Sequence, residues 1–263
     1  LDAFRRAIRE NTRMFICTQA SNVWGIRVPV ERLAALAHVY GAEICVDAAQ
    51  SGGVVPIRAA EDNIDYLCCA GHKGLYGPMG TGLLITGRGE KLKSLIQGGR
   101  GTLALQLEQP RDMPENLESG TQNVPGILAL GAGIDFVRAR GEDNLRQAEM
   151  RHVRRIHAAF SRMPHVKLYT PPPDMRYFVP VLGFNVRGMA SEAVGEYLAK
   201  HGIAVRCAFH CAPFAHRKMG TDSDACGGAV RVSPSAFTDD RQVDGLIRAV
   251  SALQKAPAVR GQK

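Results

Sequence analysis

EICVDAAQSGGVVPI (residues 43–57) and IDYLCCAGHKGLYGPMGTGLLIT (residues 64–86) decide the fold. Ile44-Cys45-Val46 is a short apolar run that ends in Asp47. The run from Ile64 to Ala70 ends in Gly71-His72-Lys73. A third run, Gly82 to Ile85, follows a glycine-rich turn. Short apolar runs bounded by turn residues read as buried strands. A carboxylate and an amine at strand ends then stand where an α/β sheet presents its ligand site.

Pyridoxal phosphate needs such a pair. Its aldehyde takes a lysine amine as a Schiff base, and its pyridinium nitrogen needs a carboxylate to keep it protonated. Asp47 and Lys73 fit these roles, and His72 with the amides around Gly71 is placed to help hold the phosphate. The wording DAAQSGG followed by GHKGLYGPMGTGLL resembles class V pyridoxal-phosphate enzymes, the cysteine desulfurases in particular. The resemblance implies a fold-type I architecture. It gives Asp47 the pyridine nitrogen, Gln50 the ring hydroxyl, and His72-Lys73 the Schiff-base position. One departure is Ala70, where the family usually has Ser or Thr donating to the phosphate, so weaker phosphate binding is expected.

Working outward, Met14 to Thr18 reads as a strand leading into Ser21-Asn22-Val23, and the resemblance places Asn22 near the cofactor ring. Asn22 satisfying its own turn is the structural alternative. Pro29 opens a helix carrying Leu33, Ala37 and Tyr40, ended by Gly41. Strand, helix, strand in this order implies a parallel, doubly wound sheet. Gly77 to Gly82 is not a dinucleotide fingerprint, because it opens a strand rather than a helix. Lys91 to Ile96 reads as a short helical piece, and Gly98-Gly99-Arg100-Gly101 as a flexible loop. Glu118-Ser119-Gly120-Thr121-Gln122-Asn123 resembles the family's E-x-G-T-x-N segment. There the Thr reaches the partner subunit's cofactor phosphate, so Thr121 implies a homodimer. A helix N-cap cluster before Pro125 is the other reading, and both can hold.

Ile127, Leu130, Ile134 and Val137 continue a long helix that Gly141 breaks, and a basic amphipathic helix runs on to about Met163. Strands are expected at Val179 to Val186, at Ile203 to Arg206 and at Gly228 to Ser233. Helices are expected to be capped by Ser191 and by Thr238. The expected organisation is a partial cofactor-binding large domain (1–124), a linking helix (125–140) and a small α+β C-terminal domain (141–263).

The second informative stretch is GIAVRCAFHCAP (202–213). It resembles the desulfurase segment whose cysteine takes sulfur from the substrate, which makes Cys211 the nucleophile. A buried, inert cysteine is the alternative. Arg231, in GGAVRVSP (227–234), resembles the family's substrate-carboxylate arginine, with Arg206 assisting; a guanidinium grips a carboxylate with two parallel hydrogen bonds. A surface salt bridge is the plainer reading of Arg231. His210 is read as a proton donor to the leaving thiol or as a satisfied structural histidine.

The resemblance implies L-cysteine as substrate, a persulfide on Cys211 and a sulfur-acceptor protein as partner. A selenocysteine lyase, another class V aminotransferase-like activity and an inactive truncated form remain alternatives. Relatives also carry a portion ahead of Leu1 that supplies a phosphate loop and a ring-stacking residue, so the chain reads as N-terminally incomplete.

Composition narrows the rest. The seven cysteines are odd in number and irregularly spaced, which argues for reduced thiols in a cytoplasmic protein. They contain no CxxC pair for a metal site. No apolar run is long enough to span a membrane. The net charge of +8 rests on clusters such as Arg5-Arg6 and Arg151 to Arg155. With no nucleic-acid motif beside them, these read as solvated helix faces.

Overall fold

The computed structural model describes residues 1–99 and 107–253. The chain divides into two compact units. One comprises Leu1–Gln19 and Pro29–Arg140, and the other Ala20–Val28 with the chain from Gly141 onward.

The first unit is built on a four-stranded sheet in the order β1 (Met14–Thr18), β2 (Glu43–Asp47), β3 (Tyr66–Ala70), β4 (Gly82–Thr86). The β1–β2 and β2–β3 pairs are parallel, and β4 is an antiparallel edge. Helix α2 (Val30–Val39) makes the crossover between β1 and β2, as parallel pairing requires. It buries Val30, Leu33, Ala34 and Ala37, while Phe15, Ile44 and Val46 are the buried side chains of β1 and β2. The short α1 (Asp2–Ala7) sets Phe4 against Phe15 with ring centroids 5.7 Å apart. At the amino end of the sheet, buried Asp65 accepts from Ile44 N–H at 2.7 Å and pairs with Arg88 at 2.5 Å and His38 at 2.9 Å. Helix α3 (Val124–Arg140) closes the unit, and Asn123 Oδ1 accepts from Gly126 N–H at 3.1 Å at its start.

The second unit packs helices on a three-stranded antiparallel sheet: β5 (Val166–Leu168), β6 (Leu182–Val186), β7 (Val230–Val232). Helices α4 (Glu142–Phe160), α5 (Ser191–Lys200) and α7 (Asp240–Ala252) supply Val153, Ile156, Phe160, Val194, Leu198, Leu246 and Val250 to one core with Leu182, Phe184 and Val230. Helix α6 (Pro213–Met219) has proline in its first turn, where the missing N–H costs nothing, and ends on Gly220 in the left-handed region.

Several sequence expectations are corrected. Lys91 to Ile96 is not helical: a 3-10 turn spans Gly89–Lys91, and Leu95 and Ile96 stand exposed with no core to bury an apolar face. Ile203 to Arg206 forms no strand, only one bridge between Arg206 and Arg231. Ser191 is the first helical residue rather than a cap; its hydroxyl donates to the Gly227 carbonyl at 2.5 Å. Asp239 caps α7 through a capping box with Gln242, and Thr238 serves the turn before it by accepting from Ser235 N–H. The expected strand from Val179 begins only at Leu182. Of the glycine loop expected at 98–101, Arg100 and Gly101 lie outside the described residues.

Candidate active site

Register brings the first constellation together. Asp47 is opposite Cys68 on the neighbouring parallel strand, and β3 runs two residues further to Ala70 before the turn that carries His72 and Lys73. Asp47, Gln50, His72 and Lys73 therefore follow the carboxyl ends of adjacent parallel strands, where open α/β sheets bind ligands. Asp47 Oδ1 accepts from Ala49 N–H at 2.8 Å, which orients the carboxylate. Asp47, His72 and Lys73 are exposed, and among the described residues Lys73 has no ion pair.

Glycines weld the two turns. A Cβ on Gly53, whose φ is +76°, would collide with the Gly74 carbonyl, and one on Gly74 would come within 2.5 Å of the Gly52 carbonyl oxygen. The Gln50 turn and the Lys73 turn thus touch backbone to backbone, closer than any side chain permits. The lysine turn is closed on its other side by Gly71 N–H to the Thr81 carbonyl at 2.9 Å and Gly77 N–H to the Gly71 carbonyl at 2.8 Å. Helix α3 braces it, because Gly133 admits the Leu75 carbonyl and Phe136 meets Tyr76 edge-on at 5.1 Å. Sequence reading missed Gly53, Gly74 and Gly133 as positioning residues; the Gly52-Gly53 pair just beyond Gln50-Ser51 was the available signal. It also missed two buried polar atoms of this unit, Gln19 Oε1 and Ser51 Oγ, that have no hydrogen-bond partner. Thr121 is exposed in the turn before α3.

Thiol chemistry separates the cysteines. Burial, with neighbouring negative groups second, pushes Cys17, Cys45 and Cys69 up to about 11. They stay protonated and poorly nucleophilic at neutral pH. Burial also raises Cys207. Cys211 is the exposed free cysteine among the described residues.

The second constellation lies in the other unit. Cys211 sits in a turn where Ala208, His210 and Cys211 all have positive φ, at 73°, 51° and 57°. Asn22 Nδ2 donates to the His210 carbonyl at 2.6 Å, and Arg231 donates to the Asn22 carbonyl at 2.9 Å. Asn22 is thereby engaged with the Cys211 turn. Arg206 and Arg231 exchange backbone hydrogen bonds at 3.2 and 2.7 Å, which sets two guanidinium-bearing residues side by side. Arg231 Nε is buried without a partner, and burial, then Arg206, lowers its affinity for a proton. Neither arginine has a carboxylate within ion-pair distance among the described residues. Two adjacent cations with no carboxylate partner favour an anionic ligand. His210 is buried, and desolvation pulls its pKa down to about 4.

A class-V aminotransferase family model matches residues 1–246. The chain belongs to the class-V aminotransferase family. It is 31% identical over 246 residues to a probable cysteine desulfurase of Methanothermobacter thermautotrophicus, covering 91% of this chain and 60% of that protein. It is 29% identical over 261 residues to a cysteine desulfurase of Synechococcus elongatus, covering 97% of this chain and 40% of that protein. Among solved structures, the apo cysteine desulfurase of Thermococcus onnurineus superposes with a TM-score of 0.82 at 30% identity, over 94% of this chain and 61% of that one. The cysteine desulfurase CsdA of Escherichia coli shares the fold, with a TM-score of 0.82 at 24% identity over 97% of this chain and 62% of that one. The resemblance read from the sequence is borne out, and the chain spans about half the length of the curated relatives it matches. Class-V membership makes pyridoxal phosphate the cofactor to test against the site. The residues present fit it: a carboxylate, an amide and an amine share one sheet edge, with turns drawn together by glycine. No helix among the described residues is long and apolar enough to cross a membrane, and none of them form a metal-binding cluster of His, Cys, Asp or Glu.

Proposed function

We propose that this chain carries the chemistry of a pyridoxal-phosphate-dependent cysteine desulfurase, which converts L-cysteine to L-alanine and leaves a persulfide on Cys211. Bound pyridoxal phosphate supplies an electron sink. Asp47 holds the ring nitrogen protonated, Gln50 meets the ring hydroxyl, His72 faces the phosphate side, and Lys73 holds the aldehyde and later moves the substrate's α-proton. Asn22 and Thr121 are proposed as further cofactor contacts, Thr121 from the partner subunit of a homodimer. Arg231, assisted by Arg206, orients the substrate carboxylate through parallel hydrogen bonds.

The sulfur step needs a thiolate. Cys211 Sγ attacks the substrate sulfur, a sulfur–sulfur bond forms and the carbon–sulfur bond breaks. The bonding pair leaves with the three-carbon skeleton, which takes up a proton and departs as alanine. His210 is assigned to proton movement at this step. A sulfur-acceptor protein and a cytoplasmic setting complete the proposal. Residues 1–124 form part of the cofactor domain, 125–140 the linking helix and 141–263 the small domain.

The observation that carries the reading is Asp47 and Lys73 at the carboxyl ends of neighbouring parallel strands. The test is borohydride reduction of the protein with pyridoxal phosphate, followed by peptide mapping. A label on Lys73, absent in Lys73→Ala, is expected; a label elsewhere refutes the assignment. Sulfide release from cysteine should disappear in Cys211→Ser while the Lys73 label persists.

A further inference from the structure

Behind Cys211, His210 opens a buried chain of hydrogen-bonding groups whose other side chains, His216 and Thr221, the proposed chemistry does not use. His210 Nε2 is 3.2 Å from the Arg206 carbonyl, and His210 Nδ1 is 3.4 Å from His216 Nε2. His216 Nδ1 is 2.8 Å from Thr221 Oγ1. The two imidazoles stack with an interplanar angle of 12° and a centroid separation of 5.5 Å. His216 and Thr221 are both 0% exposed, and Trp24 and Phe209 wall in His216 at 5.6 Å each.

One arrangement of protons satisfies every group with both rings neutral. The Arg206 carbonyl only accepts, so His210 Nε2 carries a hydrogen and its Nδ1 is a lone pair. His216 Nε2 must then donate, which also suits the nearby Phe209 carbonyl. His216 Nδ1 is left as an acceptor, and the Thr221 hydroxyl donates to it. Thr221 Oγ1 also lies 3.3 Å from the His216 carbonyl, a longer contact than its 2.8 Å to His216 Nδ1. The direction of the whole chain is therefore set by the Arg206 carbonyl, and the Thr221 hydroxyl closes its far end.

The chain ends on a costly backbone. Ala208, His210 and Cys211 hold positive φ without being glycine, and such residues persist only where the surroundings over-determine them. Other anchors of the turn are Asn22 to the His210 carbonyl, Ala212 N–H to the Phe209 carbonyl at 2.8 Å and Ala229 N–H to the Ala208 carbonyl at 3.1 Å. Phe209 packs its ring on His216, and the His210 imidazole is the side chain of the turn that hydrogen-bonds into the buried interior.

We propose that His216 and Thr221 are positioning residues that hold the His210 imidazole against the Arg206 carbonyl and thereby keep Cys211 in its left-handed turn. This rests on the reading of Cys211 as the sulfur-accepting nucleophile, but its test does not. The experiment is long-range proton–nitrogen NMR of the imidazoles, with amide hydrogen exchange at Ala212 and Ala229, on wild type, Thr221→Val and Thr221→Ser.

Wild type should show His216 protonated on Nε2. Thr221→Val removes the donor with little change of volume and leaves His216 Nδ1 a buried acceptor without a partner, so its nitrogen resonance should move while the proton stays on Nε2. The hold of His210 on the Arg206 carbonyl should loosen with the chain, and protection of the two amides should fall about tenfold. Thr221→Ser should restore both signals. A His216 proton on Nδ1 in wild type overturns the proposal even if no variant folds. An unchanged His216 Nδ1 resonance with unchanged protection in Thr221→Val, or equal damage by Thr221→Ser, overturns it as well. If instead Cys211→Ser keeps full desulfurase activity, the functional reading fails while these signals stand.

Discussion

Acid should loosen the second unit, and His210 sets much of the size of the effect. Its pKa falls from 6.5 to about 4 because burial strips its solvent, with the neighbouring Arg231, His216 and Arg206 adding repulsion against its hydrogen bond to the Arg206 carbonyl. Each pKa unit is worth about 1.4 kcal/mol. The unfolded chain binds a proton at His210 below pH 6.5 and the folded chain resists until about 4. Stability from this residue is therefore complete above pH 6.5 and is lost as pH falls toward 4. Between pH 7.5 and 5 the loss from His210 is about 2 kcal/mol, since roughly one and a half units of protonation difference have developed. His216 is shifted the same way by burial and adds to it. The assay is urea unfolding followed by tryptophan emission, because the sole tryptophan, Trp24, is 3% exposed and packs beside His216. His210→Asn is the comparison: asparagine tolerates positive φ and does not titrate here. Wild type should lose about 2 kcal/mol more than the variant over that pH interval. Equal slopes for the two proteins, or a wild type that gains stability on acidification, would refute the reasoning.

Other changes have equally definite outcomes. Gly53→Ala puts a Cβ into the Gly74 carbonyl at φ +76°, so it should cost about 2 kcal/mol or more in thermal unfolding and lower Lys73 labelling by pyridoxal phosphate. Arg88→Met strips the 2.5 Å partner from buried Asp65 but leaves His38 and the Ile44 amide. A loss of about 1–3 kcal/mol is expected in denaturant titrations, and a neutral result would mean that the other two partners suffice. Arg231→Lys keeps the charge but loses the paired donors, so KM for cysteine should rise about tenfold or more while borohydride labelling of Lys73 is unchanged.

What the sequence showed and what it hid divide along a physical line. The first sheet was legible because each strand is a short apolar run between turn residues, and the pairing of β1, β2 and β3 follows from the helix between the first two. The groups proposed to act by their own chemistry stand out in the sequence too: a carboxylate at the end of β2, an amine after β3, a cysteine after a loop. Elements whose boundaries depend on distant partners were not. Ile203 to Arg206 has the composition of a strand, yet only Arg206 pairs, with Arg231. Ser191 and Thr238 have the side chains of caps, but Ser191 is drawn to the Gly227 carbonyl, and Asp239 forms the capping box beyond Thr238.

The same line runs through the candidate site. Nothing in the spacing of His210, His216 and Thr221 marks a hydrogen-bonded chain, because the four residues between His216 and Thr221 cross a helix end whose turn is set by Gly220 at φ 64°. Only that left-handed turn brings a threonine hydroxyl back to the imidazole of its own helix. Likewise Gly53 and Gly74 read as ordinary loop glycines until the turns of Gln50 and Lys73 are seen to touch. Residues that position others are chosen by the space they leave or the single proton they direct, and both quantities exist only once the backbone has closed. A substitution screen limited to the residues proposed to react would therefore test Lys73 and Cys211 and overlook what holds them. Thr221→Val and Gly53→Ala are the changes that separate holding from reacting, because neither removes a group that takes part in the proposed reaction.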